Sequence, residues 1–182
     1  FKQDGSNKWE YVLPAIEASF DRCGHLASFI SNLAQVIRIP EPTFSLISLN
    51  EQARSVYSLT SIECRQRNIE LSLSLTDNDQ YIHVDGIQFE QVLVNIIKNA
   101  YEAIGENGRI KISTHHSPLS IIIEDNGPGI SEEAKQKLFT PFFTTKSSGQ
   151  GIGLMFVREV LTNHHCKFSL TTEDGCTRFK IL

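Results

Sequence analysis

The feature that most restricts the fold is a series of strands that follow one another without crossover helices. Alternation of apolar and polar residues, with β-branched segments, predicts strands at 69–75, 81–84, 109–114, 119–124, 167–171 and 177–182. Parallel neighbours are usually joined through a helix, whereas antiparallel neighbours need only a turn. We therefore expect an antiparallel or mixed sheet with helices on one face, an α/β two-layer sandwich, and not a doubly wound parallel sheet.

The clearest predicted helix, Ile87–Ile104, carries an apolar stripe with spacings of mostly three and four residues. Asn95 and Asn99 lie off that stripe, about one turn apart, and project in the same direction. A carboxamide oxygen suits Mg²⁺ that is already partly neutralised by substrate phosphates. Taken alone, however, the two amides are better explained as part of a polar, solvent-facing surface.

A buried strand, predicted at Ser120–Asp125, ends in a carboxylate and runs into the turn Asn126-Gly-Pro-Gly129. Glycine and proline allow a sharp turn and let a flat ligand approach the backbone. A carboxylate at this point can accept a hydrogen bond from the exocyclic amino group of adenine. Taken alone, the motif is equally compatible with an ordinary tight turn.

A third motif runs from Leu138 through Lys146 to the glycine-rich residues 149–153, which lead into a helix predicted at 152–163. Backbone amides at the N-terminus of a helix form an anion site, and Lys146 supplies a positive charge for phosphate. The segment has neither a Walker sequence nor the preceding strand of a dinucleotide fingerprint. Taken alone, it is more simply a flexible surface loop.

The N-terminal part has a different pattern, in which apolar residues recur every seven positions between Trp9 and Ile37. This pattern predicts a long helix that packs in a bundle or coiled coil. Pro14 starts or kinks the helix, and Pro40 follows its expected end near Arg38.

Bulk composition mainly excludes functions. The net charge is −4 and the sequence pI is about 5.9, with no basic run, so we expect no nucleic-acid partner. The four cysteines form no CxxC pair, which favours free thiols in a reducing compartment. No run approaches about 18 consecutive apolar residues, so we expect a soluble segment.

Together, the motifs resemble the sensor histidine kinases of two-component systems. Asn95–Ala103 resembles the N box, Asp125–Ile130 the G1 box, Leu138–Phe143 the F box and Gly149–Leu154 the G2 box of this family. The four motifs occur in the family's order, and chance agreement of all four is negligible. The resemblance implies the Bergerat ATP-binding fold, a mixed sheet against helices, and a protein-histidine kinase that uses ATP and Mg²⁺.

The resemblance also implies a role for each matched residue. Asn99 is the expected Mg²⁺ ligand with Asn95 as a helper, and Asp125 is expected to read adenine with Thr177 supporting it through water. Residues 131–150 are expected to form a flexible lid. The remaining expected positions are Gly127 and Gly129 in the base pocket, Lys146, Gly149, Gly151, Gly153 and Leu154 at the phosphates, and Phe139, Phe142 and Phe143 as anchors of the lid.

The resemblance divides the chain into residues 1–44, part of a dimerisation hairpin, and residues 45–182, the catalytic domain. Only the second hairpin helix is matched, and no histidine has the setting of the family's phosphoacceptor, because His25 is followed by Leu26. We therefore expect no autophosphorylation by this chain alone. The full-length parent is expected to be a cytoplasmic or inner-membrane-anchored homodimer that passes phosphate to a response regulator receiver domain.

Two positions depart from the family pattern. Glu102 stands where many relatives have Lys or Arg, so that phosphate contact is either missing or supplied by Lys146. His164-His165-Cys166 stands where relatives usually have His-Gly-Gly, which puts the geometry of that turn in doubt. A zinc site that combines these residues with His115 and His116 is disfavoured, because adjacent residues seldom ligate one ion.

Two alternative functions remain at this level. ATP hydrolases of the same superfamily activate water with a Glu in the N box, but Asn95 occupies that position and an amide is no general base. A binding module that keeps the pocket without transferring phosphate would have the same motifs.

Overall fold

A computed structural model describes residues 12–20, 22–24, 39–144, 146, 151–173 and 175–182. The chain divides into two compact units, Phe1–Ile39 and Pro40–Leu182. In the first unit, residues 12–20 and 22–24 are helical. The rest of the predicted long helix, including His25, lies outside the described residues, so its place in a dimerisation hairpin stays a prediction.

The second unit contains the predicted mixed sheet packed against helices. Five strands lie in the order β2-β4-β5-β7-β6, with β2 parallel to β4 and every other pair antiparallel, and β1 pairs with β3 in a separate two-stranded sheet. The strands are β1 Ser45–Ser48, β2 Glu70–Ser74, β3 Tyr81–Val84, β4 Arg109–His116, β5 Leu119–Asp125, β6 Phe168–Glu173 and β7 Cys176–Ile181. The helices are α1 Leu49–Gln66, α2 Gly86–Ile104, α3 Glu132–Lys135 and α4 Gly153–Asn163.

Helix α2 lies at the centre of the helical layer, where it contacts α1, α4, β4 and β5. Its N-cap is Asp85, whose Oδ1 accepts hydrogen bonds from the backbone amides of Ile87 and Gln88, each at 3.0 Å. The predicted apolar stripe is buried and includes Phe89, Val92, Leu93, Ile96, Ile97 and Ala100. Each large buried side chain stabilises the fold by roughly 1.5–3 kcal/mol, so the apolar face sets the rotation of α2 about its own axis. The face that bears the amides is thereby turned away from the core.

A buried polar network holds the start of α1 against the sheet. Thr114 Oγ1 donates to Asn50 Oδ1 at 2.6 Å and accepts from the backbone amide of Thr76 at 3.0 Å. Asp79 accepts from the hydroxyl of Ser48 at 2.6 Å and from the backbone amide of Asn50 at 3.2 Å. These bonds satisfy polar groups that burial would otherwise leave unpaired, and they tie the β2–β3 connection to α1.

The turn after α4 accommodates His164-His165-Cys166 in place of His-Gly-Gly. His164 is buried, and its Nε2 accepts from the backbone amide of Asp85 at 3.0 Å, so Nδ1 carries the proton and donates to the carbonyl of Val160 at 2.7 Å. His165 has φ +56°, a left-handed conformation that suits glycine better than histidine. The turn is therefore kept without glycine, and His164 joins the end of α4 to the start of α2.

Candidate nucleotide-binding site

One end of the candidate site is the carboxylate of Asp125. This residue ends β5, a strand with neighbours on both sides, and its side chain is 8% exposed. Its directly opposite neighbour on β7 is Thr177, also 8% exposed, so the two side chains lie on the same face of the sheet. The structure thus brings together the two residues that were expected to read the base.

Burial raises the pKa of Asp125 above its usual range, and a 2.9 Å hydrogen bond from the backbone amide of Gly127 to Oδ1 opposes part of that rise. Desolvation disfavours the charged form of a carboxyl group unless donors surround it. Within the described residues, the side chain of Asp125 accepts a hydrogen bond only from the backbone amide of Gly127. A ligand that brings another N–H donor therefore meets a strong acceptor.

The two glycines of the G1 turn lie where a side chain would collide with neighbouring atoms. A Cβ atom on Gly127 would lie 2.8 Å from Oδ1 of Asp125. Gly129 has φ +80°, and a Cβ there would lie 2.8 Å from Cγ2 of Thr172. A side chain at Gly127 would therefore displace the carboxylate of Asp125, and one at Gly129 would displace Thr172.

Thr172 was not predicted as a site residue. On β6 it is directly opposite Thr177, so Asp125, Thr177 and Thr172 form one row across three strands. Its Oγ1 is buried and has no hydrogen-bond partner among the described residues. The strand register that places it there is not readable from a single sequence, and the Thr171-Thr172 dipeptide alone gave no signal.

The other end of the site lies between α2 and the start of α4. A Cβ atom on Gly153 would be 3.4 Å from Oδ1 of Asn95 and 3.8 Å from Nδ2 of Asn99. Asn95 Nδ2 donates to the carbonyl of Gln91 at 2.9 Å, which leaves its Oδ1 on the side of Gly153. Nδ2 of Asn99 is buried without a hydrogen-bond partner in the described part of the chain. The N box and the G2 box therefore lie next to each other.

The N-terminus of α4 has the features of an anion site. Its N-cap is Ile152, which makes no side-chain capping bond, so among the described residues no side-chain cap occupies the first amides of this 11-residue helix. Gly153 and Leu154 are the first two helical residues. Gly149, predicted at the phosphates, lies outside the described residues.

The F box packs against the G2 box through backbone atoms. The amide of Phe142 donates to the carbonyl of Gly151 at 3.1 Å. Gly151 has φ +67°, and a Cβ there would come within 2.3 Å of the carbonyl carbon of Phe142. Only a glycine fits this approach without movement of the neighbouring chain.

The aromatic rings of the F box differ in their surroundings. Phe139 meets Phe168 of β6 edge-on, with ring centroids 5.5 Å apart, and Phe168 stacks on Phe179 at 5.9 Å. Phe142 is 51% exposed, and Phe143 is half-buried. Phe139, one of the predicted anchors, contacts the sheet through Phe168, a partner that was missed because nothing local marks it.

Lys146 lies against the C-terminal part of α2, where its ammonium group is 2.6 Å from Oε2 of Glu102. The position at which many relatives carry a cation therefore carries a carboxylate that binds a lysine from another segment. Among the described residues, no group of three or more His, Cys, Asp or Glu side chains could hold a metal ion. A metal at this site would depend on neutral amides and on the ligand itself.

Comparisons with known proteins agree with this geometry. Residues 84–182 match the family described as histidine kinase-, DNA gyrase B-, and HSP90-like ATPase. The sensor histidine kinase ZraS of Escherichia coli (strain K12) is 29% identical over 148 residues, 80% of this chain and 32% of ZraS. The histidine-protein kinase AtoS of the same strain is 34% identical over 149 residues, 80% of this chain and 24% of AtoS. The chain thus spans a third or less of the length of these relatives.

Solved structures give the same family of matches. The nucleotide-free catalytic domain of histidine kinase ThkA has a TM-score of 0.71 at 34% identity, covering 76% of this chain and 93% of that domain. A structure of ThkA in complex with the response regulator TrrA has a TM-score of 0.73 at 28% identity, covering 100% of this chain and 52% of that one. In the described part of this chain, no helix is long and apolar enough to cross a membrane.

Proposed function

The chain belongs to the histidine kinase-, DNA gyrase B- and HSP90-like ATPases, and from that premise we propose that its second unit binds ATP with Mg²⁺ and serves as the catalytic domain of a sensor histidine kinase. The observation that carries the proposal is the pairing of two ends of one site. The buried carboxylate of Asp125 lies at one end. At the other end lie the buried Nδ2 of Asn99 and the N-terminus of α4, and within the described residues Nδ2 has no hydrogen-bond partner and the helix has no side-chain cap. An adenine nucleotide supplies a donor for the first end and phosphates for the second.

At the base end, Asp125 accepts the exocyclic amino hydrogen of adenine, and Thr177 supports that contact from the neighbouring strand. The acceptor is selective, because a base with a carbonyl at that position places an acceptor against a carboxylate. Gly127 and Gly129 let the turn lie close to Asp125 and Thr172, which a side chain at either position would push away. Burial raises the pKa of Asp125, and an N–H group of the ligand would add a hydrogen bond that stabilises the charged carboxylate.

At the phosphate end, the side chains present fit Mg²⁺ only when the nucleotide shares the ion. Carboxamide oxygens are neutral hard ligands, and magnesium takes few protein ligands while keeping waters and phosphate oxygens. We assign Asn99 as the ligand and Asn95 as its helper, since both amides lie near Gly153 at the start of α4. Asn95 already turns its Oδ1 toward Gly153, whereas Asn99 turns its Nδ2 there and would bind the ion after its amide rotates by about 180°. When bound, the ion neutralises charge on the β- and γ-phosphate oxygens.

The proposed reaction moves the γ-phosphoryl group to an imidazole nitrogen, forming a P–N bond as the bond to the leaving ADP oxygen breaks. The domain contributes by holding the γ-phosphate in line with that nitrogen. Hydrolysis is a poorer proposal, because Asn95 occupies the position of the water-activating carboxylate and cannot accept the proton. The acceptor we propose is not among the six histidines of this chain, since none is followed by an acidic residue.

The proposal extends to partners of the whole protein. A relative of similar fold has been solved with a response regulator, which supports a receiver domain as the recipient of the phosphate. We further propose a homodimer formed through a hairpin that includes residues 1–44, and a cytoplasmic setting for this segment, with the parent anchored in the inner membrane.

Replacing Asn99 by alanine should remove most of the metal-dependent part of ATP binding. The amide oxygen addresses the metal, and a contact with a charged centre is worth roughly 1.5–3 kcal/mol, so affinity for ATP in Mg²⁺ should fall about tenfold or more. Binding of ADP in excess chelator should change far less. Calorimetric titration of wild type and variant, each with Mg²⁺ and with chelator, measures both effects.

The chelator titration of the same variant is the internal control for misfolding. A variant that has lost its fold would bind neither nucleotide under either condition. Equal losses with and without Mg²⁺, in a variant that still melts cooperatively, would contradict the assignment of Asn99 to the metal.

A further inference from the structure

Glu102 and Lys146 form an ion pair between α2 and the segment that follows the F box. Their charged atoms are 2.6 Å apart, and each side chain is 31% exposed. A second cation, Lys98, is 3.9 Å from the other oxygen of Glu102, which is too long for a hydrogen bond. Lys146 is therefore the primary partner of Glu102, although the two residues are 44 positions apart in sequence.

The pair lies next to the phosphate end of the site. Glu102 follows Asn99 by three residues and Asn95 by seven, so the three side chains share one side of α2. The ammonium group of Lys146 is thus held about one helical turn beyond the amide assigned to Mg²⁺. In this position the ammonium group lies near the proposed phosphate site, and the carboxylate of Glu102 neutralises its charge.

We propose that Glu102 is a positioning residue that holds Lys146 beside the phosphate end until the nucleotide's phosphates take the lysine from it. This inference rests on the proposed function and adds that the effect of Glu102 on affinity depends on how many phosphates the ligand carries. A partly exposed pair of this kind is weak, so a polyphosphate with several negative charges can displace a single carboxylate. Glu102 therefore opposes binding most for ATP, less for ADP and not at all for adenosine.

Two simpler roles for Glu102 make different predictions. If Glu102 only repels phosphate through space, its removal should tighten binding whether or not Lys146 is present. If the pair only stabilises the fold, its removal should lower the melting temperature and leave the ranking of nucleotides unchanged. A double-mutant cycle with nucleotides of different phosphate number separates all three roles.

The experiment uses the whole chain with Glu102→Gln, Lys146→Gln and both substitutions together, titrated with ATP, ADP and adenosine in Mg²⁺. Glutamine keeps the size of both side chains and removes one charge. Glu102→Gln should tighten ATP binding roughly two- to fivefold, the range of one exposed ion pair, with a smaller gain for ADP and none for adenosine. In the Lys146→Gln background the same change should alter ATP affinity less than about twofold.

Salt provides a second readout, because the gain from Glu102→Gln should shrink as ionic strength rises toward about 1 M. An equal gain in both lysine backgrounds, or no gain in the wild-type background, would overturn the positioning role. Failure of wild type to bind any of the three ligands would overturn the proposed function as well. Wild-type binding of ATP with no effect of Glu102→Gln would overturn this inference alone.

Discussion

Asp125→Asn should weaken binding of adenine nucleotides by about ten- to a hundredfold and should also make the empty protein more stable at neutral pH. The loss of affinity follows because the carboxylate is a charged acceptor for the base, worth roughly 1.5–3 kcal/mol, and the asparagine amide can turn a donor toward the adenine amino group. The amide of Gly127 can still donate to the asparagine oxygen. The base contact is therefore removed while the local turn is kept.

The gain in stability follows from the raised pKa of Asp125. A carboxyl group whose pKa is higher in the folded than in the unfolded chain favours folding when protonated, and that contribution is lost as pH rises through the folded pKa. The melting temperature of the variant should therefore exceed that of wild type most at pH values above the folded pKa of Asp125. The difference in melting temperature should shrink as pH falls toward the ordinary aspartate pKa, where both side chains are neutral.

Calorimetric titration with ATP measures the loss of affinity, and thermal melts between about pH 4 and 8 measure the gain in stability. This pH range runs from the ordinary pKa of aspartate to just above neutral pH. Glu124→Gln is the matched control, because Glu124 precedes Asp125 on β5 but points to the other face, where it pairs with Arg178 at 2.6 Å. That variant should bind ATP normally. An Asp125→Asn variant that binds ATP as tightly as wild type would place the base elsewhere.

Gly151→Ala should cost about tenfold or more in ATP affinity, because the new methyl group cannot be accommodated where the chain now runs. A Cβ atom at residue 151 would be 2.3 Å from the carbonyl carbon of Phe142 and 2.7 Å from its Cα. The clash is relieved only if the F-box segment moves away from the start of α4, which disturbs the amides that are proposed to hold phosphate. Loops yield more easily than core strands, so the loss should fall on binding more than on global unfolding.

Gly175→Ala separates this clash from the general cost of a left-handed alanine. Gly175 has φ +71°, close to the +67° of Gly151, but apart from its chain neighbours no described residue has a heavy atom within 4 Å of a Cβ placed there. It should cost about 1–2 kcal/mol of unfolding free energy from backbone strain and leave ATP affinity unchanged. Equal effects of the two alanines on ATP binding would show that contact with Phe142 does not matter.

Much of the fold was predictable because the signals were local. The apolar stripe of α2 set both its length and its buried face, and alternating residues located the strands of the main sheet. The resemblance carried by the four ordered motifs predicted that Asn99 and Asp125 belong to one site. Strand β1 and the short helix α3 were not predicted, and four residues each give little periodic pattern. The equally short β3 was predicted, but its pairing with β1 was not, because a local pattern does not name a strand's partner.

The features that were missed depend on contacts between distant parts of the chain. Thr172 enters the site through the register of β6 on β7, and Phe168 anchors the F box because it lies opposite Phe139. Glu102 was recognised only as a departure from the family pattern. Its meaning appears with its partner Lys146, since an ion pair across 44 residues leaves no trace in either local sequence.

The central claim is that one nucleotide spans the site from Asp125 to the start of α4. The most direct measurement is a titration of the isotope-labelled chain with MgATP, followed by the chemical shifts of its backbone amides. The largest changes should fall on Gly127 and Gly129 at the base end and on Asn99 and Gly153 at the phosphate end. Unchanged shifts at millimolar MgATP, or changes confined to the separate groove of about 470 Å³ lined by Tyr57, Arg65 and Asn107 among others, would contradict the claim.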